Sequence, residues 1–181
     1  MDEVRLEAAF EEHHRRVLAY ALRRVPTEAD AEDAVAETFA VAWRRMDRLP
    51  ATDALPWLQA VARRVIANQR RGTDRRSRLA LRLHREPRPV GPDDSGSPAL
   101  EALAQLPSDD QELLRLLAWD GLSQAEAGVV LGISANAVAI RLYRARKRFA
   151  AALAKGSGAS RTLNQAEGQN PGRRSHEEPS P

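Results

Sequence analysis

The sequence predicts an all-α protein with two small helical domains joined by a flexible linker, the second domain containing a helix-turn-helix. Apolar residues recur three and four positions apart over most of the chain, which is the period of an amphipathic helix. Residues 86–98 interrupt this pattern with a run rich in proline, glycine, serine and aspartate, which is typical of a linker. At 181 residues the chain has room for two such domains. We therefore expect a first domain over residues 1–84, a linker over 85–98, a second domain over 99–155 and a disordered tail over 156–181.

The composition excludes several kinds of protein. No cysteine is present, which rules out disulfides, thiolate metal sites and a cysteine nucleophile. The N-terminus is acidic and amphipathic, unlike a signal peptide, and no later stretch approaches a membrane span. We expect a cytoplasmic protein.

Charge is segregated along the chain, although the formal net charge is only +3. Residues 27–53 hold seven acids and three arginines, whereas residues 63–88 hold ten arginines and two acids. The charged residues from 141 to 155 are all basic. Two basic blocks far apart in sequence suggest two contact points on a polyanion. A solvated, solubilising arginine face is the alternative interpretation of the first block.

Three helices are predicted in the first domain. The first covers residues 6–25 and ends at Pro26, with an approximate apolar face made of Phe10, Val17, Leu18, Ala21 and Leu22. The second covers about 29–46 after a start at Thr27, and its buried stripe is Ala31, Val35, Phe39, Ala42 and Met46. The third begins near Pro56 and runs to about Arg71, and it buries Leu58, Val61, Ala62, Val65 and Ile66.

Two of these helices expose charged faces. The second leaves carboxylates and a valine outside, a mixture that suits a protein partner; its outward residues are Asp30, Asp33, Glu37, Ala40, Val41 and Arg44. Its acids could in principle bind Mg²⁺, but the positive end of the helix dipole explains them more simply. The third helix turns Arg63, Arg64, Arg70 and Arg71 outward, with Asn68 beside them.

The second domain begins with Leu100, Leu103 and Leu106. Residues 108–111, Ser-Asp-Asp-Gln, have the form of a capping box and start a helix that carries Leu113, Leu114, Leu116 and Leu117. Ser123 followed by Glu126 is another capping box, and Gly132 falls where a left-handed residue ends a helix. Ser134 can cap the next helix. Two helices joined by so short a turn form a helix-turn-helix.

The last helix has two contrasting faces. Its apolar stripe of Val138, Leu142, Ala145 and Phe149 should pack on the helix before it. The opposite face carries Asn136, Ile140, Tyr143, Arg144 and Lys147, with Arg141 and Arg148 on its flank. Such side chains can pair with adenine or guanine, contact a thymine methyl group and neutralise phosphates. An ordinary helical hairpin with a solvated basic helix is the alternative.

Residues for catalysis are lacking. None of the four histidines lies in a metal-binding motif, and the sequence has no glycine-rich phosphate loop, HExxH pair or nucleophile elbow. Ser123 and Ser134 are better explained as helix caps than as nucleophiles. We expect no enzyme activity, no cofactor and no metal.

Three stretches, taken together, resemble the extracytoplasmic-function (ECF) sigma factors, the minimal initiation factors of bacterial RNA polymerase. They are DAEDAVAETFAVAWRRM, then PWLQAVARRVIANQRRGTDRR, and after the linker ALAQLPSDDQELLRLLAWDGLSQAEAGVVLGISANAVAIRLYRARKRF. The likeness spans roughly residues 10–152 and implies a sigma region-two domain followed by a region-four domain. It implies three partners: core RNA polymerase, promoter DNA and an anti-sigma factor. We expect no insertion into a membrane, since no stretch of the sequence approaches a membrane span.

The resemblance also implies a role for each charged face. Asp33, Glu37, Ala40 and Val41 would dock on the clamp helices of the largest polymerase subunit, and region four would meet the flap of the second-largest subunit. The third helix would recognise and open the −10 element through Arg63, Arg64, Asn68, Arg70, Arg71 and Arg75. The last helix would lie in the major groove of the −35 element and contact it through Asn136, Ile140, Arg141, Tyr143, Arg144, Lys147 and Arg148.

Two helices depart from the family pattern. Ala34 and Ala36 stand where many members have Leu and Gln, which would weaken or reshape the contact with the clamp. In the recognition helix, residues 137–141 are Ala-Val-Ala-Ile-Arg in place of a Thr-Val-Lys-Ser-Arg pattern. Because this change removes two hydroxyls and a lysine, the promoter sequence cannot be taken from other members.

Two other classes of protein stay open at this point. A helix-turn-helix regulator would bind DNA without affinity for core polymerase, so it would not need the acidic docking face. A structural or adaptor protein would bind neither DNA nor polymerase.

Overall fold

The computed structural model describes residues 2–80 and 97–167, with side chains for residues 3–72 and 97–155. Over these residues the chain forms α-helices and no strand, which confirms the all-α class. The first domain consists of α1 (Asp2–Leu22), α2 (Glu28–Arg44), a 3₁₀ turn (Met46–Arg48) and α3 (Ala54–Ala80). The second consists of α4 (Pro98–Ala104), α5 (Ser108–Ala118), α6 (Gln124–Leu131) and α7 (Ala135–Glu167). The predicted linker over 85–98 lies outside the described residues, apart from its last two positions.

The buried face of α1 differs from the predicted one. Val17 and Ala21 are buried as expected, but Phe10 is 44% exposed and Leu22 is 36% exposed. The other inward positions of α1 are Ala9, His13 and Tyr20, and Arg24 is buried in the turn that follows. The prediction was wrong there because it searched for apolar residues alone. A polar residue can face inward when a partner satisfies it.

All five residues of the stripe predicted for α2 are buried, although α2 ends at Arg44 and Met46 lies in the 3₁₀ turn that follows. Thr27 caps the helix, since its side-chain oxygen accepts a hydrogen bond from the backbone N–H of Asp30 at 3.1 Å. Ala34 is also fully buried, and the Thr38 hydroxyl donates to its carbonyl oxygen at 2.6 Å. Ala34 therefore belongs to the core and not to the outer face, so its departure from the family pattern acts on packing.

Helix α3 begins earlier and ends later than predicted. It starts at Ala54, which puts Pro56 inside the first turn, where a missing backbone N–H costs no helical hydrogen bond. Asp53 precedes it with a φ of 55°, a left-handed conformation that aspartate tolerates better than most residues. The helix then passes through Gly72 to Ala80. A single glycine weakens a helix without ending it, since extending a formed helix is easier than nucleating one.

The start of α5 corrects a predicted cap. Ser108 is the first helical residue and Pro107 occupies the cap position, so no serine hydroxyl caps this helix. Gln111 also departs from the predicted arrangement, since its side-chain amide donates to the carbonyl oxygen of Leu106 at 2.8 Å. Leu113 and Leu116 are fully buried as expected.

The two domains pack against each other. Helix α3 lies on α6, and apolar residues of both domains belong to one continuous core. Polar residues also meet across this boundary, because the guanidinium of Arg24, in the turn after α1, pairs with Glu112 and Asp120 of the second domain. The prediction of two domains joined by a linker did not anticipate this interface.

Helix α7 continues beyond its predicted end. Its backbone is helical to Glu167, whereas the sequence predicts a tail from residue 156. Once a helix is formed, each added residue gains a hydrogen bond without a new nucleation cost. Residues 168–181 of the predicted tail lie outside the described residues.

No single helix among the described residues is long and apolar enough to cross a membrane. Gln124–Leu131 and Ala135–Lys155 together reach the length and composition of a span, but the chain turns by 99° between them.

Candidate nucleic-acid and partner interfaces

The helix-turn-helix is built by local interactions at three residues. The Ser123 hydroxyl accepts from the Glu126 N–H at 3.2 Å, and the Glu126 carboxylate accepts from the Ser123 N–H at 2.6 Å. This confirms the predicted capping box. Gly132 ends α6 with a φ of 70°, and the Ser134 hydroxyl accepts from the Ala137 N–H at 3.2 Å to begin α7. The 99° turn between the helices matches the geometry of DNA-binding helix-turn-helix units.

A close backbone approach also requires glycine within α6. A methyl group added to Gly128 would lie 2.7 Å from the carbonyl oxygen of Ile133, in the turn before α7. That oxygen is part of the backbone and cannot move independently of the turn. Gly128 therefore allows the turn to fold back onto α6, a role that the sequence analysis missed.

The recognition face of α7 is exposed as predicted. Val138, Leu142 and Ala145 are buried on the inner side. On the outer side Tyr143 is 71% exposed and Ile140 is 49% exposed, and Asn136, Arg144 and Lys147 are exposed beside them. These five residues form one face, which we call the recognition face.

Two flanking arginines of α7 are engaged within the domain. Arg141 lies 3.7 Å from the carboxylate of Asp109, and Arg148 pairs with the buried carboxylate of Asp110. Both acids lie in the first turn of α5. The structure therefore separates Arg141 and Arg148 from the five residues of the recognition face, and their contact with DNA stays a prediction.

The acidic face of α2 is exposed in the structure. Asp33 and Glu37 are exposed, and Ala40 and Val41 are partly exposed next to them. Glu37 is held by Arg44 of the same helix, with a distance of 2.7 Å between the carboxylate and the guanidinium. Trp43 is 51% exposed on the same helix, and the sequence analysis did not single it out.

The basic face of α3 carries the residues predicted to contact the −10 element. Arg64, Asn68, Arg70 and Arg71 are exposed and Arg63 is partly exposed. Arg71 donates to the side-chain oxygen of Asn68, so these two groups hold each other in place. The side chain of Arg75 lies outside the described residues.

A cavity of about 450 Å³ opens between α2, α3 and the segment that joins them. It connects the acidic face and the basic face, since Glu37 and Val41 form one side and Arg64 and Asn68 the other. Trp57, Val61 and Val65 supply apolar walls, and Arg45, Arg48 and Gln69 complete the lining. A cavity lined in this way can hold a flat aromatic ring against Trp57 with arginines nearby. Arg45, Arg48 and Trp57 were missed because their sequence pattern is that of a turn and a helix start.

Comparison with protein families matches both domains. Residues 9–76 match the family described as Sigma-70 region 2, and residues 98–149 match the family described as Sigma-70, region 4.

Two curated relatives match over most of their length. The ECF RNA polymerase sigma factor SigF of Caulobacter vibrioides is 36% identical over 150 residues, which cover 79% of this chain and 82% of that protein. The ECF RNA polymerase sigma factor SigL of Mycobacterium tuberculosis is 30% identical over 148 residues, which cover 77% of this chain and 84% of that protein.

A solved structure shares the fold. It is the sigma factor RpoE from Bartonella quintana in complex with the anti-sigma factor NepR, which superimposes with a TM-score of 0.62 at 24% identity. The likeness covers 81% of this chain and 95% of that one.

Proposed function

The chain belongs to the ECF group of RNA polymerase sigma factors, and we propose which of its surfaces performs each step of transcription initiation. As a member of this family it binds core RNA polymerase and directs transcription from specific promoters. The observation that supports the assignment of surfaces is that the acidic face and both basic faces are exposed, each on a different helix. Catalysis stays with the polymerase, in the cytoplasm.

The acidic face of α2 docks on the clamp helices of the largest polymerase subunit. Asp33 and Glu37 supply the charge, while Ala40 and Val41 supply an apolar contact between them. Ala36 is exposed beside this face and sets its shape, whereas Ala34 is buried beneath it. Region four meets the flap of the second-largest subunit.

The recognition face of α7 reads the −35 element in the major groove. Asn136 and Arg144 can make paired hydrogen bonds to base edges, and Ile140 can contact a thymine methyl group. Lys147 neutralises phosphate charge without reading sequence. Arg141 and Arg148 act from the flank, and each must exchange its carboxylate partner for a phosphate.

The basic face of α3 and the neighbouring cavity capture the unpaired −10 strand. Opening the duplex costs a few kcal/mol of unstacking, and a pocket for an extruded base offsets that cost. The cavity has an apolar wall at Trp57 and polar groups at Arg64 and Asn68, which suits a base with its phosphates. The remaining predicted contacts are Arg63, Arg70, Arg71 and Arg75.

An anti-sigma protein is a further partner of this chain. The RpoE structure from Bartonella quintana holds such a protein, NepR, and shares the fold of this chain.

The proposed assignment is tested by run-off transcription from core polymerase and a genomic promoter library, with and without the protein. We expect promoter-specific transcripts whose templates share two spaced elements. No gain in transcription, despite sequence-specific binding to duplex DNA, would instead indicate a helix-turn-helix regulator.

A variant of the acidic face distinguishes binding to core polymerase from binding to DNA. Asp33→Arg with Glu37→Arg should reduce initiation and leave the affinity for −35 duplex unchanged, because both residues lie on α2 and away from the recognition face. A matched control is Glu28→Arg with Glu32→Arg, which reverses the same number of exposed charges on the same helix. Equal loss in both double variants would contradict the assignment of the docking face.

A further inference from the structure

A buried ionic cluster joins the two domains. It consists of Tyr20 of α1, Arg24 in the turn after α1, Glu112 of α5, and Asp120 in the turn after α5. The Arg24 Nε donates to the two carboxylate oxygens of Glu112 at 3.1 and 3.0 Å, and its Nη2 donates to Asp120 at 2.9 Å. The Tyr20 hydroxyl donates to Glu112 at 3.0 Å. The side chains of Arg24 and Asp120 are only 5% and 1% exposed.

The polar groups of this ionic cluster form hydrogen bonds or ion pairs with one another. Arg24 Nη1 donates to the carbonyl oxygen of Tyr20 at 2.9 Å, and its guanidinium lies 3.6 Å from the centre of the Tyr20 ring. Burial lowers the pKa of Arg24, but its neighbours Tyr20, Glu112 and Asp120 outweigh burial, so that the pKa is raised. Arg16 of α1 donates to the backbone carbonyl oxygen of Asp120, and Arg23 in the turn after α1 donates to its carboxylate. Removing one partner of such a buried set leaves a charge without compensation.

The attraction between the domains depends on the two acids. Arg115 of α5 is close enough to the first domain that burial and then the charge of Arg24 lower its pKa, while Glu112 acts in the opposite direction. Arginines therefore stand on both sides of the boundary with Glu112 between them. Without the charge of Glu112, Arg24 and Arg115 would repel each other across it.

The closed arrangement is too small to span a promoter. A compact chain of about 150 residues has a radius of gyration of roughly 15 Å, which corresponds to a body about 40 Å across. Elements centred at −35 and −10 are about 25 base pairs apart, on the order of 85 Å along the duplex. The sixteen residues from 81 to 96 can reach at most about 55 Å. Simultaneous contact therefore requires the domains to separate.

We propose that the interdomain ionic cluster holds the free chain in a closed, self-inhibited arrangement that must open before both promoter elements are bound. The inference rests on the proposed function. The recognition face of α7 is exposed in the same arrangement, so binding to an isolated −35 duplex does not require opening.

The test uses full-length variants that weaken the ionic cluster to different degrees. Glu112→Gln removes the central charge, and Tyr20→Phe removes only a hydroxyl and keeps the ring under Arg24. The matched control is Glu101→Gln, the same chemical change at an exposed position of α4 in the same domain. Because the chain has no cysteine, Glu32→Cys in α2 and Ala150→Cys in α7 provide two unique and exposed positions for a fluorescent dye pair.

Domain separation is measured first, by energy transfer between the dyes and by the radius of gyration from small-angle scattering. We expect lower transfer and a larger radius in Glu112→Gln, a smaller change in the same direction in Tyr20→Phe, and none in Glu101→Gln. Circular dichroism confirms that each variant keeps its helices. Tyr20→Phe keeps the test decisive if Glu112→Gln does not fold. Folded variants that stay as compact as the wild type would overturn the proposal.

Transcription is measured next, at a protein concentration that leaves most promoters unoccupied. Because apparent affinity scales with the fraction of competent molecules, we expect Glu112→Gln to raise promoter occupancy by about threefold or more. Its affinity for an isolated −35 duplex should not change. An opened variant that initiates no better than the wild type would refute self-inhibition while leaving the proposed function intact. Absence of promoter-specific transcripts with the wild type would refute the proposed function, and the dye measurement would still report whether the ionic cluster closes the chain.

Discussion

Single residues determine where the helix-turn-helix begins and turns. Ser123 and Glu126 satisfy each other's backbone N–H groups at the start of α6, and Gly132 takes the left-handed conformation that ends it. The side chain of Ser123, and then its backbone N–H, hold the pKa of the Glu126 carboxyl below its usual range. A depressed carboxyl pKa adds stability above the pKa of the unfolded chain, and that stability is lost as the pH falls through the folded value.

Replacement of Ser123 by alanine should therefore destabilise the protein by about 1 kcal/mol at neutral pH, which is the typical value of a helix N-cap. The loss should shrink at a pH below about 4.5, where Glu126 takes up a proton in the unfolded chain. Urea denaturation as a function of pH measures both effects. Ser108→Ala is the matched control, because Ser108 is exposed at the start of α5 and does not cap it. An equal loss in both variants would contradict the role of Ser123.

Two helices, α3 and α6, each contain a glycine, and the surroundings of the two glycines differ. Gly72 lies within α3, and a methyl group added there would meet no atom within 4 Å. Gly128 lies within α6 against the backbone of the following turn. Both glycines have helical backbone conformations, so they differ only in the space around the Cα atom.

Gly72→Ala should stabilise the protein by about 0.5–1 kcal/mol, since alanine loses less backbone freedom in a helix. Gly128→Ala should destabilise it by more than that, since the added methyl group would lie 2.7 Å from the Ile133 carbonyl oxygen. Thermal unfolding of both variants measures the two opposite shifts. Stabilisation by Gly128→Ala would show that the turn can move away.

The recognition helix combines sequence reading with charge. Asn136 lies in its first turn, where a side chain can reach base edges, and Lys147 lies three turns further along the same face. These two positions are suited to different contacts. A contact with a base edge discriminates between sequences, whereas a contact with a phosphate does not.

Asn136→Ala should alter the preference for one base pair by about 1–3 kcal/mol if its amide makes a paired contact. Lys147→Ala should weaken binding to all duplexes by a similar factor. It should also lower the slope of log affinity against log salt concentration by about one, the value for one lost phosphate contact. Competition binding with single-base variants of the −35 element, at two salt concentrations, distinguishes them. A uniform loss from Asn136→Ala would contradict its role in reading bases.

At the scale of the whole molecule, few aromatic side chains are available to hold an opened duplex. The chain has three tryptophans, two tyrosines and three phenylalanines, and Tyr20 and Phe39 are buried in its core. Base stacking on aromatic rings contributes about 1–3 kcal/mol for each base, so few stacking contacts leave opening dependent on other interactions. Specific contacts with both promoter elements must supply the rest of the free energy needed for opening.

We therefore expect initiation to depend steeply on the match of the promoter. Run-off assays should show a large loss when either element is scrambled, with core polymerase and protein held constant. Trp57→Ala should increase that dependence, because it removes the aromatic wall of the cavity between α2 and α3. Equal transcription from intact and scrambled promoters would contradict this expectation.

Much of the fold is determined by interactions between neighbours in the sequence. The caps at Thr27, Ser123 and Ser134 depend on residues three positions away, so their patterns are visible without a structure. The buried stripes of α2 and α3 follow the same local period. The recognition face of α7 was predicted for this reason, since its apolar stripe determines which side is left outside.

The tertiary structure alone decided which polar groups are buried and which charges are paired. Arg24 pairs with Glu112 at a separation of 88 positions, and Arg148 pairs with Asp110 at a separation of 38. No periodic pattern predicts such pairs, because a charged side chain becomes an inward residue only when the fold brings its partner within hydrogen-bond distance. The sequence by itself therefore determined the helices, the helix-turn-helix and the charged faces. Packing of the domains determined the buried side of α1 and the contact between the two domains.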